Sequence, residues 1–215
     1  MLQNVLLACA SNRLKEHATS MAIQACVTRG AGFIEVRDIG DVSVARNIQL
    51  SLALRAMREN RRFEQVLMID DDMAFRVEDV TALTSFVQQH MLPASGAYVL
   101  GDGRMAAQHL AGDRWLTGLG FVSIPLPALE MLASESREFY LRKGDNGKLW
   151  EFTRSCADRE ENGDWYWEPE DFRLTRRLGG VVLLSLPISH IKKRELRPSG
   201  DELPGFIARQ GRDIG

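Results

Sequence analysis

Val66-Leu67-Met68-Ile69-Asp70-Asp71-Asp72 is an apolar run that leads straight into three consecutive carboxylates. Four uninterrupted hydrophobic residues before a polar break read as a strand buried on both faces. Its carboxyl end is therefore where the acids emerge. Upstream, Val5 to Cys9 reads as another short buried strand, Glu16 to Thr28 as a helix and Phe33 to Val36 as a second strand. From Ser43, the residues Val44, Ile48, Leu52 and Ala56 recur every four positions, which predicts a helix with Arg46 and Asn47 in its first turn. Arg58, Arg61 and Arg62 crowd its far end, where cations suit a helix C-terminus. Downstream, Glu78 and Asp79 open a helix carrying Val80, Leu83 and Val87 on one face, closed before Pro93. A strand is predicted near Ala97 to Leu100. Strands and helices in alternation predict an α/β fold with a central, mostly parallel sheet and ligands beyond the carboxyl ends of its strands.

The second half is less regular. A glycine-bearing segment (Gly101, Gly103, Gly112, Gly118, Gly120) precedes a predicted strand at Phe121 to Ile124 and a helical stretch at Pro127 to Leu132. Residues 142 to 167 are polar yet hold Trp150, Trp165, Tyr166 and Trp167, which predicts a substrate-facing loop. Glu170 to Leu178 reads as a helix and Val181 to Leu186 as a strand, followed by a basic tail from Ile191.

Bulk properties narrow the class. A chain of 215 residues with 45% hydrophobic content suits one α/β domain. The expected boundaries are a catalytic domain over residues 1–195 and a tail over 196–215. A net charge of -2 demands no polyanionic partner, although it leaves a nucleic-acid acceptor open. Cys9, Cys26 and Cys156 are odd in number and in no CxxC pair, which argues against a disulfide framework and for a reducing compartment. No basic leader and no run of about 20 apolar residues is present, so a cytoplasmic protein without a membrane span is the expectation. Gly30-Ala31-Gly32 lacks the third glycine of a dinucleotide fingerprint and precedes a strand instead of following one. GxxxxGK[ST], HExxH and GxSxG motifs are also absent.

Three adjacent carboxylates repel one another unless a cation, ligand or solvent compensates. Mg²⁺ or Mn²⁺ answers that need, because both prefer oxygen ligands and bridge carboxylates to phosphates. The plain alternative is an acidic loop capping the helix near Val77.

The set of motifs resembles the nucleotide-sugar site of GT-A glycosyltransferases with their DxD motif. Asp70-Asp71-Asp72 ends the hydrophobic strand, and Ala45-Arg46-Asn47 lies on the preceding helix. Gly118-Leu119-Gly120-Phe121 resembles the small-residue strand beside the acceptor site. Glu170-Asp171-Phe172, with Arg176, Arg177 and Gly179 behind it, resembles the ED motif. His190 stands where many members place a metal-binding histidine. The resemblance implies a metal-dependent enzyme that moves a sugar from a nucleotide-diphosphate sugar, with uridine diphosphate favoured, to an acceptor hydroxyl. It assigns Asp70 to the ribose or a metal-bound water, Asp72 and His190 to the metal, and Arg46 to the nucleotide or its diphosphate. Asp71 joins the same cofactor-binding set, and Lys192, Lys193 and Arg194 could assist the leaving charge. Asp171 is the implied base for an inverting reaction, with Glu170 orienting it or contacting the acceptor.

Glu170 and Asp171 also suit a helix N-terminus after Pro169 on electrostatic grounds alone. The tryptophans could stack on an acceptor or simply pin a long loop. Two rival functions share the triplet: a metal-dependent phosphohydrolase of the haloacid-dehalogenase kind and a non-catalytic nucleotide-sugar binding module. The phosphohydrolase fits less well, because Met73-Ala74-Phe75 follows the acids where that family usually has Thr or Val.

Overall fold

A computed structural model describes residues 1–11, 15–99, 105–140, 147–159 and 165–191. The expected tail over 196–215, and Lys192, Lys193 and Arg194, lie outside the described residues. In chain order the first half runs β1 (Val5–Ser11), α1 (His17–Thr28), β2 (Gly32–Arg37), α2 (Val42–Glu59), β3 (Gln65–Asp70), β4 (Met73–Ala74), α3 (Val77–His90) and β5 (Ala94–Gly96). The second half runs β6 (Ala107–Ala111), β7 (Arg114–Thr117), β8 (Phe121–Pro125), α4 (Leu126–Ser134), β9 (Glu138–Phe139), β10 (Leu149–Trp150), β11 (Cys156–Arg159), β12 (Trp165–Glu168), α5 (Glu170–Arg177), β13 (Val181–Leu184) and β14 (Ser189–His190).

Eight strands form one sheet in the order β2-β1-β3-β8-β5-β13-β7-β6. The α/β class with a central, mostly parallel sheet is what the alternating pattern predicts. β8 and β7 are reversed against the direction of the other six strands. Strand alternation sends Leu7, Cys9, Leu67 and Ile69 to one face, where Ile23 and Cys26 of α1 and Val80, Leu83 and Val87 of α3 cover them. Leu6, Ala8, Val66 and Met68 point to the other face, against Leu50, Leu54 and Met57 of α2, Leu129 and Leu132 of α4 and Leu174 of α5. Burial on both faces explains why β1 and β3 read as continuous apolar runs. Helix starts follow local chemistry: Asp41 caps α2 by accepting from Val44 N–H at 3.0 Å, and Asp79 accepts from Arg76 N–H at 2.8 Å at the start of α3.

Three elements differ from the sequence expectation. The strand expected near Ala97 to Leu100 is instead Ala94–Gly96. At Gly96 a Cβ would collide with Ile188 and lie 3.2 Å from Phe121. Tyr98, within the expected stretch, lies beyond the end of β5 and is buried. The glycine-bearing segment contributes the β6–β7 hairpin to the sheet edge, a feature the sequence pattern did not reveal. The aromatic loop contains β10 and the β11–β12 ribbon, so it is partly regular structure.

Phe121 is fully buried at the start of β8 and packs on Phe75 with ring centroids 5.1 Å apart. Phe121→Ala is expected to cost about 3–5 kcal/mol, read as a lower urea midpoint at unchanged slope. A loss under about 1 kcal/mol would contradict this packing.

Candidate donor and acid site

β3 runs parallel to β1, with Asp70 opposite Ala10, so the acids leave the sheet at its carboxyl edge. The chain then turns into β4, which pairs antiparallel with β14 and sets His190 opposite Met73. That two-residue pairing is what brings a histidine 118 positions from Asp72 back to it: His190 Nε2 lies 2.9 Å from Asp72 Oδ2. His190 Nδ1 is buried and has no hydrogen-bond partner among the described residues.

Arg46 comes from the first turns of α2 and is buried. Its Nη2 donates to Asp70 Oδ1, and its Nη1 donates to Gln49 Oε1 at 3.2 Å. A cavity of about 250 Å³ is lined by Arg46, Asp70, Asp71, Asp72 and His190 together with Ala10, Ser11, Val36, Ile39, Val42 and Ala45. The five donor-side and metal-side residues expected from the sequence therefore share one concave surface. Apolar Val36, Ile39 and Val42 line it beside the acids.

Burial pushes the Asp71 carboxyl above its ordinary range, and the neighbouring Asp72 and Asp70 charges add to the rise. Burial does the same to Asp72, opposed by His190. Crowded, half-buried acids of this kind bind protons or cations more readily than isolated ones.

Glu170 and Asp171 do not line that cavity. They begin α5, just past Pro169. Asp171 Oδ1 accepts from Phe172 N–H at 2.7 Å, which leaves Oδ2 toward Gly118: a Cβ there would sit 3.5 Å from Oδ2 and would collide with the Tyr98 hydroxyl. At Gly120 a Cβ would sit 2.9 Å from Asp70 Oδ2 and 3.0 Å from Tyr98 Oη. The stretch Gly118 to Gly120 thus passes between the two acid groups at backbone distance, and side chains at these two positions would fill the gap. Burial, followed by the adjacent Glu170 charge, raises the Asp171 carboxyl to about 6. Glu170 is fixed by its partners: its carbonyl accepts from the Thr153 hydroxyl, and its Oε2 accepts from Ser155 Oγ at 3.3 Å.

Tyr98 is the site residue that sequence reasoning missed. Its Oη accepts from Gly120 N–H at 3.3 Å, while Asp70 N–H donates to the Gly120 carbonyl at 3.1 Å. Its ring stacks on His190 at 6.1 Å. A single tyrosine after a short strand carries no motif, so only the pairing of β5 with β8 and β13 could have found it. Arg176 and Arg177 serve structure. Arg176 Nε donates to Glu168 at 2.7 Å, and Arg177 donates to the carbonyls of Phe152 at 2.6 Å and Leu132 at 3.3 Å.

Among the described residues, no three or more His, Cys, Asp and Glu side chains gather in a metal-holding group. The donors present are a pair, one carboxylate and one imidazole. That pair fits a hard divalent ion that keeps its other positions for water and phosphate oxygens. The partnerless His190 Nδ1 at the cavity is the orphaned polar atom nearest that role.

No family model matches the sequence, and no curated protein matches it. No described helix is long and apolar enough to cross a membrane. Among solved structures, A197 from STIV aligns over 88% of this chain and 86% of its own, at 16% identity and a TM-score of 0.55. A glycosyltransferase involved in the glycosylation of the major capsid of PBCV-1 aligns over 59% of this chain at 13% identity and a TM-score of 0.36. S. aureus TarS 1-349 in complex with UDP-GlcNAc aligns over 93% at 10% identity and 0.47. The last two alignments span only 62% and 61% of the matched chains. The chain shares its overall fold with A197, and the two glycosyltransferases are partial overlaps below that level of similarity.

Proposed function

We propose that this chain is a glycosyltransferase of the GT-A kind, which binds a nucleotide-diphosphate sugar in the cavity beneath Asp70, Asp71 and Asp72 and transfers the sugar to an acceptor hydroxyl beside Asp171. The observation that carries this reading is the juxtaposition of two acid groups across Gly118 to Gly120: a carboxylate and imidazole cluster on one side, and a half-buried carboxyl with Oδ2 toward Gly118 on the other.

Each residue has a part in the reading. Val36, Ile39 and Val42 offer an apolar wall for a base and ribose. Arg46 holds Asp70 and concentrates positive charge at the cavity floor, where a diphosphate would lie. Asp72 and His190 would hold Mn²⁺ or Mg²⁺, which when bound supplies Lewis-acid charge to the departing diphosphate. Asp71 adds negative charge to that rim. Asp171 accepts the acceptor hydroxyl proton at Oδ2 in an inverting transfer, with Oδ1 held by Phe172 N–H. Glu170, anchored by Thr153 and Ser155, orients that end of α5. Gly118 and Gly120 make room for the Tyr98 hydroxyl between the two acid groups. A uridine diphosphate sugar is the first donor to try, because uridine donors are common among the enzymes the motifs resemble.

The donor half is tested by thermal shift with nucleoside diphosphates and nucleotide sugars, with and without Mn²⁺. One nucleotide is expected to stabilise the protein only when the metal is present, and Asp72→Ala is expected to lose that shift. Stabilisation by Mg²⁺ and a phosphate mimic, with no response to any nucleotide, would instead mark a phosphohydrolase.

The acid half is tested on Asp171. A base must be deprotonated to act, and this carboxyl is raised to about 6. Transfer is therefore expected to climb with pH and level off above that value. Asp171→Asn is expected to reduce transfer by roughly 10²–10⁴-fold while donor affinity stays near that of the parent. Undiminished transfer by the variant would remove Asp171 from the mechanism.

A further inference from the structure

The ribbon β11–β12 stands apart from the main sheet. Its register pairs Ala157 with Trp167 and Arg159 with Trp165, and Asp158 with Tyr166 and Cys156 with Glu168. Alternation along β12 therefore separates two faces. Glu168 is buried on one of them, with its carboxylate 2.7 Å from Arg176 Nε and 3.7 Å from Arg173 Nη1 of α5. Those ion pairs clamp that face down on the helix and turn Trp165 and Trp167 to the opposite one. The two indoles are 71% and 66% exposed. No other aromatic among the described residues is exposed to that degree. Burying a large apolar side chain is worth roughly 1.5–3 kcal/mol, and the clamped ribbon forgoes most of that gain at both tryptophans.

We propose that Trp165 and Trp167 form a stacking platform for a neutral carbohydrate acceptor, an inference that rests on the donor-site reading above. The C–H face of a pyranose ring is apolar and carries slight positive charge, which matches the electron-rich face of an indole. The ring hydroxyls remain available to water and to polar neighbours. A protein partner would call for a desolvated centre around the aromatic anchors, and on the face of the two tryptophans the ribbon offers only Ala157 as apolar company. A polyanion is disfavoured by charge: besides Glu168, which is paired with Arg173 and Arg176, residues 158–171 carry six acids (Asp158, Glu160, Glu161, Asp164, Glu170, Asp171) against the single Arg159.

Position supports the same occupant. Trp167 is four residues before Asp171, and a chain of that length spans at most about 14 Å between Cα atoms. A glycan lying on the platform is then within a few sugar units of the Asp171 carboxylate. Ala157 directly opposite Trp167 is too small to cover the indole from across the strand pair.

The probe is a set of neutral oligosaccharides of increasing length, titrated into the full chain without donor and followed by tryptophan fluorescence and calorimetry. Saturable binding is expected, weakened roughly tenfold or more by Trp165→Ala and by Trp167→Ala, with Trp167→Phe retaining part of the affinity. The same substitutions are expected to raise the acceptor KM in the transfer assay with little effect on kcat. Because both side chains are exposed, melting temperatures should match the parent and exclude misfolding. Parental affinity in the double alanine variant would overturn the proposal. So would the absence of binding to any oligosaccharide, or a tryptophan-dependent preference for single-stranded nucleic acid. The binding arm needs no nucleotide, so failure of the donor reading leaves the platform independently decided.

Discussion

The ion pair between Arg46 and Asp70 is the contact around which the site is arranged. Three carboxylates at one strand end repel one another, and burial makes that repulsion harder to screen. Arg46 supplies a fixed positive charge from α2, and its stem is buried in the helix. Removing one member of a buried pair leaves an uncompensated charge, which is why such pairs specify an arrangement even where they add little net stability. The neighbouring residue extends the same strut. Asn47 Nδ2 donates to the Thr153 carbonyl at 2.8 Å, and Thr153 N–H donates back to Asn47 Oδ1 at 2.9 Å. Thr153 in turn donates its hydroxyl to the Glu170 carbonyl. Two adjacent residues of one helix thus set Asp70 and the start of α5 in the same frame.

The reversal of β8 provides the second constraint. β3 and β8 pair antiparallel, with Ile69 opposite Phe121, so the chain entering β8 must pass close to Asp70. Gly118 and Gly120 occupy that approach, and Tyr98 Oη fills the space between them. The tyrosine hydroxyl satisfies the Gly120 N–H, a buried donor that would otherwise cost about 1–3 kcal/mol. Its ring backs His190. One side chain therefore fixes the small-residue strand and limits the orientation of the imidazole.

The sequence made the first half of the fold legible because buried strands and four-residue helical periodicity are strong signals in β1, α2, β3 and α3. Their boundaries moved by a residue or two, which is ordinary fraying. The later elements were obscured for definite reasons. Ala94–Gly96 is a strand of small residues with weak intrinsic preference, and at Gly96 the close approach of Ile188 leaves no room for a Cβ. The β6–β7 hairpin lies at the sheet edge with β6 largely exposed, so it shows no alternating pattern. At the site, ordered motifs pointed to Arg46, the three aspartates and His190, and these line one cavity. The separation of Asp171 from that cavity depends on where Gly118 and Tyr98 sit, which no local pattern encodes. Arg176 and Arg177 looked like companions of the acids, whereas Arg176 pairs with Glu168 and Arg177 satisfies backbone carbonyls.

The state of Asp171 shows how such a site is held against stability. A carboxyl whose folded pKa is raised, here to about 6 from an ordinary 3.8, binds its proton more tightly in the folded chain than in the unfolded one. Its favourable contribution is complete below the unfolded value and is lost as pH rises through about 6. At neutral pH the anion is retained in a half-buried position beside Glu170, where burial and like charge both oppose it. Folding gains nothing from this placement. An acid that accepts a proton from an incoming hydroxyl gains from it directly, because a raised pKa strengthens the base while leaving it mostly ionised above pH 6. The electrostatic cost at Asp171 and the compensation at Arg46 therefore belong to one arrangement, in which α2 stabilises the three aspartates and braces the helix that carries Asp171.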